Sequence, residues 1–433
     1  MSELFEKVKE VLKINSASSF QSQDHQGNLD VALFLKSWVS DRLEVKIFES
    51  NRHPKDVTFV CWPKSQAFPE KGGLALHTHL DTVQAGKLDR WTEAGPFEAK
   101  EKNDWIYALG AADVKSDAIC KLSALLEFSE QKDFKHTPFF IGSFAEEIGM
   151  EGARWIYDNK LIHPSYALVG EPSDGKICFA NKGLYILEAQ LDFTPTETSK
   201  TESQIHYEGV SGHSSSPHRA QNALEMALDD LEYQLEKQTP ISNFEGSVAS
   251  NVIPGHFSFL SKPDLIPTDT LKALVKMRKS HRLFQKEIAS LLQNPIFEPA
   301  GASSAWTILK RHENQIQIEI EGRFLPQQDP ESLSLFLRER HPELRLKRSS
   351  PACEESREGE FVEKLLKASE DKNPWITKSG SNEAYFYQKL GAKVFVHGPG
   401  ESYGNIHKPN EKIHRKSIEK AFRFYQNLIK ITC

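Results

Sequence analysis

The hydrophobic positions along this chain follow two rhythms. The opening stretch MSELFEKVKEVLKI spaces Leu4, Phe5, Val8, Val11, Leu12 and Ile14 at helical intervals with charges between them, which predicts an amphipathic helix. Short apolar runs then recur at residues 57–62 (VTFVCW), 74–80 (LALHTHL), 138–145 and 166–170 (YALVG), and these read as buried strands. Helical periodicity fills 27–43, 115–131 and 150–160. Strands alternating with helices predict an α/β layered sheet whose chemistry lies in the loops at the strand ends.

After Gly183 the rhythm changes. LYILEAQLDF and IQIEIEGRF alternate apolar and polar residues, as half-exposed strands do, and helices are expected at 219–237 and 330–340. Residues 263–312 look helical (TDTLKALVKMRKSHRLFQKEIASLLQ) and end in a Gly/Ala/Ser turn. From about residue 356 the first rhythm returns, with a helix at 359–370, a strand at AKVFVHG and a last helix from Arg415 to Ile431. The simplest organisation is a catalytic domain with a mixed central sheet, built from 1–183 and 350–433 and interrupted by a smaller α+β domain at 184–349.

Composition narrows the class. A chain of 433 residues has room for two or three domains. The net charge of −6 supplies no basic field for nucleic acid and no polybasic membrane patch. No apolar run approaches the roughly 20 residues that span a bilayer. The opening helix lacks the long apolar core of a signal peptide and is expected to belong to the mature protein. The cysteines Cys61, Cys120, Cys178, Cys353 and Cys433 are scattered and never form a CxxC pair. That argues against a disulfide framework or a cysteine zinc site, and the expected compartment is the cytoplasm.

Histidines and carboxylates gather at the expected strand ends. His79 and Asp81 lie two apart in LHTHLDTV, so an extended segment turns them the same way. Asp113 precedes a helix, Glu146 and Glu147 follow a third strand, and Glu171 follows a fourth. His407 comes after the turn GPGESYGNIHKPNE, in which Gly398, Pro399 and Gly400 are expected to turn the backbone. Each has an ordinary reading: a satisfied polar group, an N-cap, an acidic helix start. Together they fall on one edge of the sheet, where open α/β folds bind ligands. Imidazole and carboxylate donors without cysteine suit zinc, with manganese or cobalt as substitutes. Two histidines and at least three carboxylates exceed one tetrahedral site and match a two-metal centre with a bridging carboxylate.

The motif set LHTHLDTV, WTEAGPF, IYALGAADVKSDAICKLSAL, AEEIGMEGA, VGEPS, ANKG, GVSGHSSSPHRAQNALEMA, NVIPG and GPGESYGNIHKPNEKI occurs in this order from roughly residue 20 to 425. It resembles the zinc amidohydrolase family of acetylornithine deacetylase, succinyl-diaminopimelate desuccinylase and carboxypeptidase G. The resemblance implies two zinc ions, one held by His79 and Glu171 and the other by Glu147 and His407, with Asp113 bridging. It implies that Glu146 is the general base and that Asp81 orients His79. It further implies a cytoplasmic homodimer, paired through the inserted domain, that removes the acyl group from an N-acyl amino acid, as in arginine biosynthesis. A dipeptidase, a carboxypeptidase or a desuccinylase of the same family is the alternative.

Within the inserted domain, His213 matches the family histidine that reaches the partner's active site and stabilises the oxyanion. Asn251 and Arg323 resemble the pair that holds the substrate, and arginine suits a carboxylate because it binds bidentately. The family separates these two by one short strand, whereas here 263–312 intervenes. Either a helical excursion interrupts the domain, or HFSFLSK fills the strand and Arg323 belongs elsewhere. Glu383, in SGSNEAYFYQKLG, is expected either to meet a substrate's amino or ureido group or to serve as a helix-start acid using the dipole.

Overall fold

Four apolar runs build the middle of one large sheet, because each is buried on both faces and reads as an unbroken hydrophobic stretch. The computed structural model describes residues 1–196, 202–262 and 264–433. Strands Pro138–Ser143, Leu74–His79, Tyr166–Gly170 and Lys393–Val396 lie side by side in that order and run parallel. Leu43–Glu49 and Val57–Pro63 extend the sheet antiparallel beyond Pro138–Ser143. Ile177–Asn181 follows Lys393–Val396 antiparallel on the other side, making the sheet mixed. The parallel strands place their carboxyl ends on one edge, so the segments after His79, Ser143 and Gly170 emerge together.

Several boundaries moved. The expected helix 27–43 stops at Val39, and LEVKIFE forms a strand paired with Val57–Pro63 in which half-buried residues alternate with exposed ones. The helix after Asp113 covers Lys115–Glu127 and buries most of its faces, consistent with its place against the sheet. The last helix, Arg415–Thr432, buries Ile418, Ala421, Phe424, Tyr425, Leu428 and Ile429 at helical spacing.

The chain divides into two compact units. The first comprises Met1–Ala180, Cys353–Ile376 and Asn382–Cys433, and the second Asn181–Ala352 with Thr377–Ser381. The second contains a four-stranded antiparallel sheet in the order Ser303–His312, Gln315–Phe324, Gly183–Asp192 and Arg345–Ser350. A three-stranded sheet of Ser203–Glu208, His256–Ser261 and Asn243–Glu245 and a short ladder of Gly212–His213 with Val252–Ile253 complete it.

The segment 263–312, whose first residue lies outside the described residues, separates into a helix, Thr268–Leu291, and a strand, Ser303–His312. The helix buries Leu271, Leu274, Met277, Phe284 and Ile288 in the core of the second unit. The strand pairs along its whole length with Gln315–Phe324. A helical excursion therefore interrupts the domain between His256–Ser261 and the strand that carries Arg323, and it is part of the core rather than a decoration of the outer face.

Candidate metal centre

The strand ends of the first unit converge on a buried cluster. His79 ends its strand and is fully buried, with Nε2 3.3 Å from Asp113 Oδ1. Asp113 Oδ2 lies 3.0 Å from His407 Nε2, and that same nitrogen is 3.2 Å from Glu147 Oε2. Donor atoms of His79, Asp113 and Glu147 all fall within 4.8 Å of one another, as do those of His79, Glu146 and Glu171. All six residues named from the sequence for metal or base chemistry are thus in one cluster.

Local backbone explains the two adjacent glutamates. Ala145 takes φ +50°, a left-handed conformation that costs a non-glycine residue energy and turns the chain sharply as it leaves the strand. The neighbours then diverge: Glu146 groups with His79 and Glu171, whereas Glu147 faces Asp113 and His407. Asp81 pins the turn. Its Oδ1 accepts the backbone N–H of Glu146 at 3.0 Å and its Oδ2 that of Glu147 at 3.3 Å. His407 also sits at positive φ, +59°. The GPG turn that leads toward it has a steric reason: a Cβ on Gly398 would stand 2.5 Å from the carbonyl oxygen of Glu171.

The charges are poorly balanced without a cation. Burial, reinforced by Glu171, pushes the Glu146 carboxyl well above the usual range, against the pull of His79. Glu147 is raised by burial and by Asp113, with His407 opposing. Burial works against charge on His79 and His407, yet their carboxylate partners prevail and raise both imidazoles. The same two imidazoles overcome burial at Asp113 and lower it. The cluster sets the carboxylates of Asp113, Glu146, Glu147 and Glu171 against the imidazoles of His79 and His407. Among the described residues, buried Glu147 Oε1 has no hydrogen-bond partner. Nitrogen and oxygen donors at this spacing, with an orphaned carboxylate oxygen among them, fit divalent metal ions, whose charge would offset the gathered carboxylates.

Both the main chain and the carboxylate of Asp81 stand beside His79. Its Nδ1 lies 3.1 Å from the backbone carbonyl of Asp81, nearer than the carboxylate Oδ1 at 3.5 Å. The Asp81 side chain mainly holds the glutamate turn. Glu411, which sequence reasoning passed over although it lies in the HKPNEK motif, supports Asp113 in the same way. Its Oε1 accepts the backbone N–H groups of Ala112 at 2.8 Å and Asp113 at 3.1 Å, and burial beside Asp113 pushes its carboxyl up to about 8.

Glu383 is fully buried, like His79. Its Oε1 accepts from Ser143 Oγ at 2.9 Å, its Oε2 lies 3.4 Å from His77 Nε2, and burial pushes it up to about 8. It stands at the N-cap of Ala384–Lys389 without making a side-chain cap bond. A further group, His25, His53 and Asp56, is closed by its own hydrogen bonds. Ser19 N–H donates to His25 Nδ1 at 3.1 Å and Lys55 N–H to His53 Nδ1 at 3.2 Å, which leaves the neutral rings' protons on Nε2. The His25 proton goes to Asp56 at 2.7 Å, and Arg52 also holds that carboxylate.

In the second unit His213, Asn251 and Arg323 are brought together through Ser214. Exposed His213 receives the Ser215 N–H on Nδ1 at 3.1 Å, which puts the neutral ring's proton on Nε2. Ser214 N–H donates to the Asn251 carbonyl at 3.0 Å. Arg323 is buried and donates from Nη2 to Glu321 Oε1 at 2.5 Å and to Ser214 Oγ at 3.5 Å. Its Nε is buried and has no hydrogen-bond partner among the described residues.

Residues 75–431 match the profile of Peptidase family M20/M25/M40. Acetylornithine deacetylase of Proteus mirabilis (strain HI4320) is 32% identical over 160 residues, a stretch that spans 37% of this chain and 36% of that protein. The fold is similar to the M20 family metallo-carboxypeptidase Sso-CP2 of Sulfolobus solfataricus, with a TM-score of 0.65 at 18% identity over 100% of this chain and 99% of that one. Human carnosine dipeptidase 1 aligns with a TM-score of 0.65 at 13% identity over 100% and 97% of the two chains. At these identities the structural likeness speaks for the fold. Among the described residues no helix is long and apolar enough to cross a membrane.

Proposed function

Because the chain belongs to peptidase family M20/M25/M40 and is a hydrolase of that kind, we propose that it removes the acyl group from the α-nitrogen of an N-acyl amino acid of the N-acetylornithine type. The observation that carries the chemistry is the different placement of the adjacent acids: Glu147 faces Asp113 and His407, while Glu146 lies beside His79 and Glu171. The match to acetylornithine deacetylase supports the choice of substrate class.

His79 and Glu171 would hold one zinc ion, Glu147 and His407 a second, and Asp113 would bridge. Bound there, zinc lowers the pKa of water to about 7 and polarises a carbonyl. Glu146 takes the proton of the attacking water on its carboxylate and passes it to the departing amine nitrogen, so that C–O bond formation and C–N cleavage leave a carboxylic acid and an amine. Glu146 lies beside His79 and Glu171, the two residues assigned to one zinc ion, which places its carboxylate next to water bound there. Asp81 keeps Glu146 and Glu147 in their separate directions.

His213 Nε2–H would donate to the oxyanion from a partner copy of the chain, paired through the second unit as a cytoplasmic homodimer. Arg323 would meet the α-carboxylate with the N–H groups that Glu321 and Ser214 leave over. Turnover of the zinc-loaded protein on N-acetylornithine, N-acetylcitrulline, N-succinyl-diaminopimelate and simple dipeptides tests the proposal. N-acetyl amino acids should be cleaved with the highest kcat/KM. Dipeptides as the better substrates would overturn it.

A further inference from the structure

Beneath the metal cluster lies a polar hub that the reaction does not use. Lys121 and Asp117 face each other one turn apart on the helix Lys115–Glu127, both fully buried, with Nζ 2.7 Å from Oδ2. Lys121 Nζ also donates to the carbonyl of His77 at 2.6 Å, to Thr78 Oγ1 at 3.3 Å and to the carbonyl of Leu168 at 3.4 Å. Asp117 accepts from Thr78 Oγ1 at 2.7 Å and from the Tyr425 hydroxyl, which in turn meets His397 Nδ1 at 2.8 Å. The packing is tight enough that a Cβ on Gly170 would stand 2.3 Å from Asp117 Oδ2 and 2.9 Å from Lys121 Nζ.

His77 and Leu168 belong to neighbouring parallel strands, two residues before His79 and three before Glu171. A single ammonium therefore ties together the last turns of backbone before two metal-ligand candidates, from a helix that begins two residues after a third, Asp113. A buried lysine–aspartate pair is a costly way to obtain stability alone, because removing two charges from water offsets most of their attraction. Ligand spacing, by contrast, benefits from a rigid tie, since a metal tolerates errors of only a few tenths of an ångström.

We propose that Lys121 and Asp117 are positioning residues that fix the separation of the strand ends carrying His79 and Glu171, and so set the affinity of the metal position those two residues form. The inference rests on the metal-centre reading above. The test is zinc titration of the full-length protein against a competing chelator, for the wild type and for Lys121→Met/Asp117→Asn. The pair of substitutions removes the tie without stranding a buried charge.

Melting of the metal-free double variant should stay close to wild type. The zinc ion of the His79–Glu171 position should bind 10- to 100-fold more weakly, on the order of what removing a supporting partner of metal ligands causes, while the other ion is unchanged. Wild-type affinity at both positions in the double variant would overturn the inference and leave the metal reading intact; a wild-type protein that takes up no zinc would overturn both. If the double variant does not fold, Thr78→Val removes only the hydroxyl that bridges the pair. It should weaken the same ion selectively, and unchanged affinity there would overturn the inference.

Discussion

Asp81 ties the turn from which Glu146 and Glu147 diverge. Its carboxylate is fully buried and accepts two backbone N–H groups, at 3.0 and 3.3 Å, from Glu146 and Glu147. A hydrogen bond to a charged acceptor contributes about 1.5–3 kcal/mol, and a buried donor left without a partner loses that and its hydration. Asp81→Ala should therefore destabilise the metal-free protein by about 3–5 kcal/mol in urea unfolding. Asp81→Asn retains one acceptor and should lose about half of that. His79 keeps its Nδ1 partner in both variants, because that partner is the main-chain carbonyl of residue 81. The zinc position of His79 should therefore be spared the ~10–100-fold loss expected when a ligand histidine loses its carboxylate, while turnover, and binding at the position of Glu147, fall because neither glutamate is held in its direction. A destabilisation under about 1 kcal/mol, or zinc loss without loss of stability, would refute the clasp.

Other consequences are as direct. Leu274→Ala, within the helix Thr268–Leu291, should cost about 2–5 kcal/mol in urea unfolding, since Leu274 is fully buried; a loss near zero would mean the helix is peripheral. Burial pushes Glu383 up to about 8, from an ordinary value of 4.5 in the unfolded chain, so between those values the native state keeps a proton that the unfolded chain has released. Metal-free stability should therefore fall as pH rises through this window, and Glu383→Gln should flatten the decline by one proton; an unchanged slope would contradict this. Arg323→Lys should raise KM for an N-acyl amino acid by about 10-fold or more while leaving its α-amide analogue unaffected, because only the guanidinium binds a carboxylate bidentately. Equal losses on both substrates would remove Arg323 from carboxylate recognition.

The sequence carried the parallel core well because YALVG and LALHTHL are buried on both faces, which leaves continuous apolar runs. It carried the cluster of His79, Asp113, Glu146, Glu147, Glu171 and His407 as residue types at strand ends, strengthened by a motif order spread over the chain. Edge and hairpin strands were harder to see. LEVKIFE has only one fully buried residue and follows directly on a helix, so its alternation merged with the helical pattern. The strand Ser303–His312 was hidden behind 24 helical residues, and only its pairing with Gln315–Phe324 reveals it. Glu383, Glu411 and the Lys121–Asp117 pair are polar residues whose partners lie far along the chain. Their burial depends on tertiary contacts, such as Ser143 with Glu383, that no local pattern encodes.

The central claim is that Glu146 moves protons and Glu147 binds metal. Zinc content and N-acetylornithine turnover, measured together on Glu146→Gln and Glu147→Ala, test it most directly. The account predicts that Glu146→Gln retains the zinc content of the wild type and loses about 10²–10⁴-fold in kcat, whereas Glu147→Ala loses zinc. Retained turnover in Glu146→Gln, or zinc lost from it and kept by Glu147→Ala, would contradict the account.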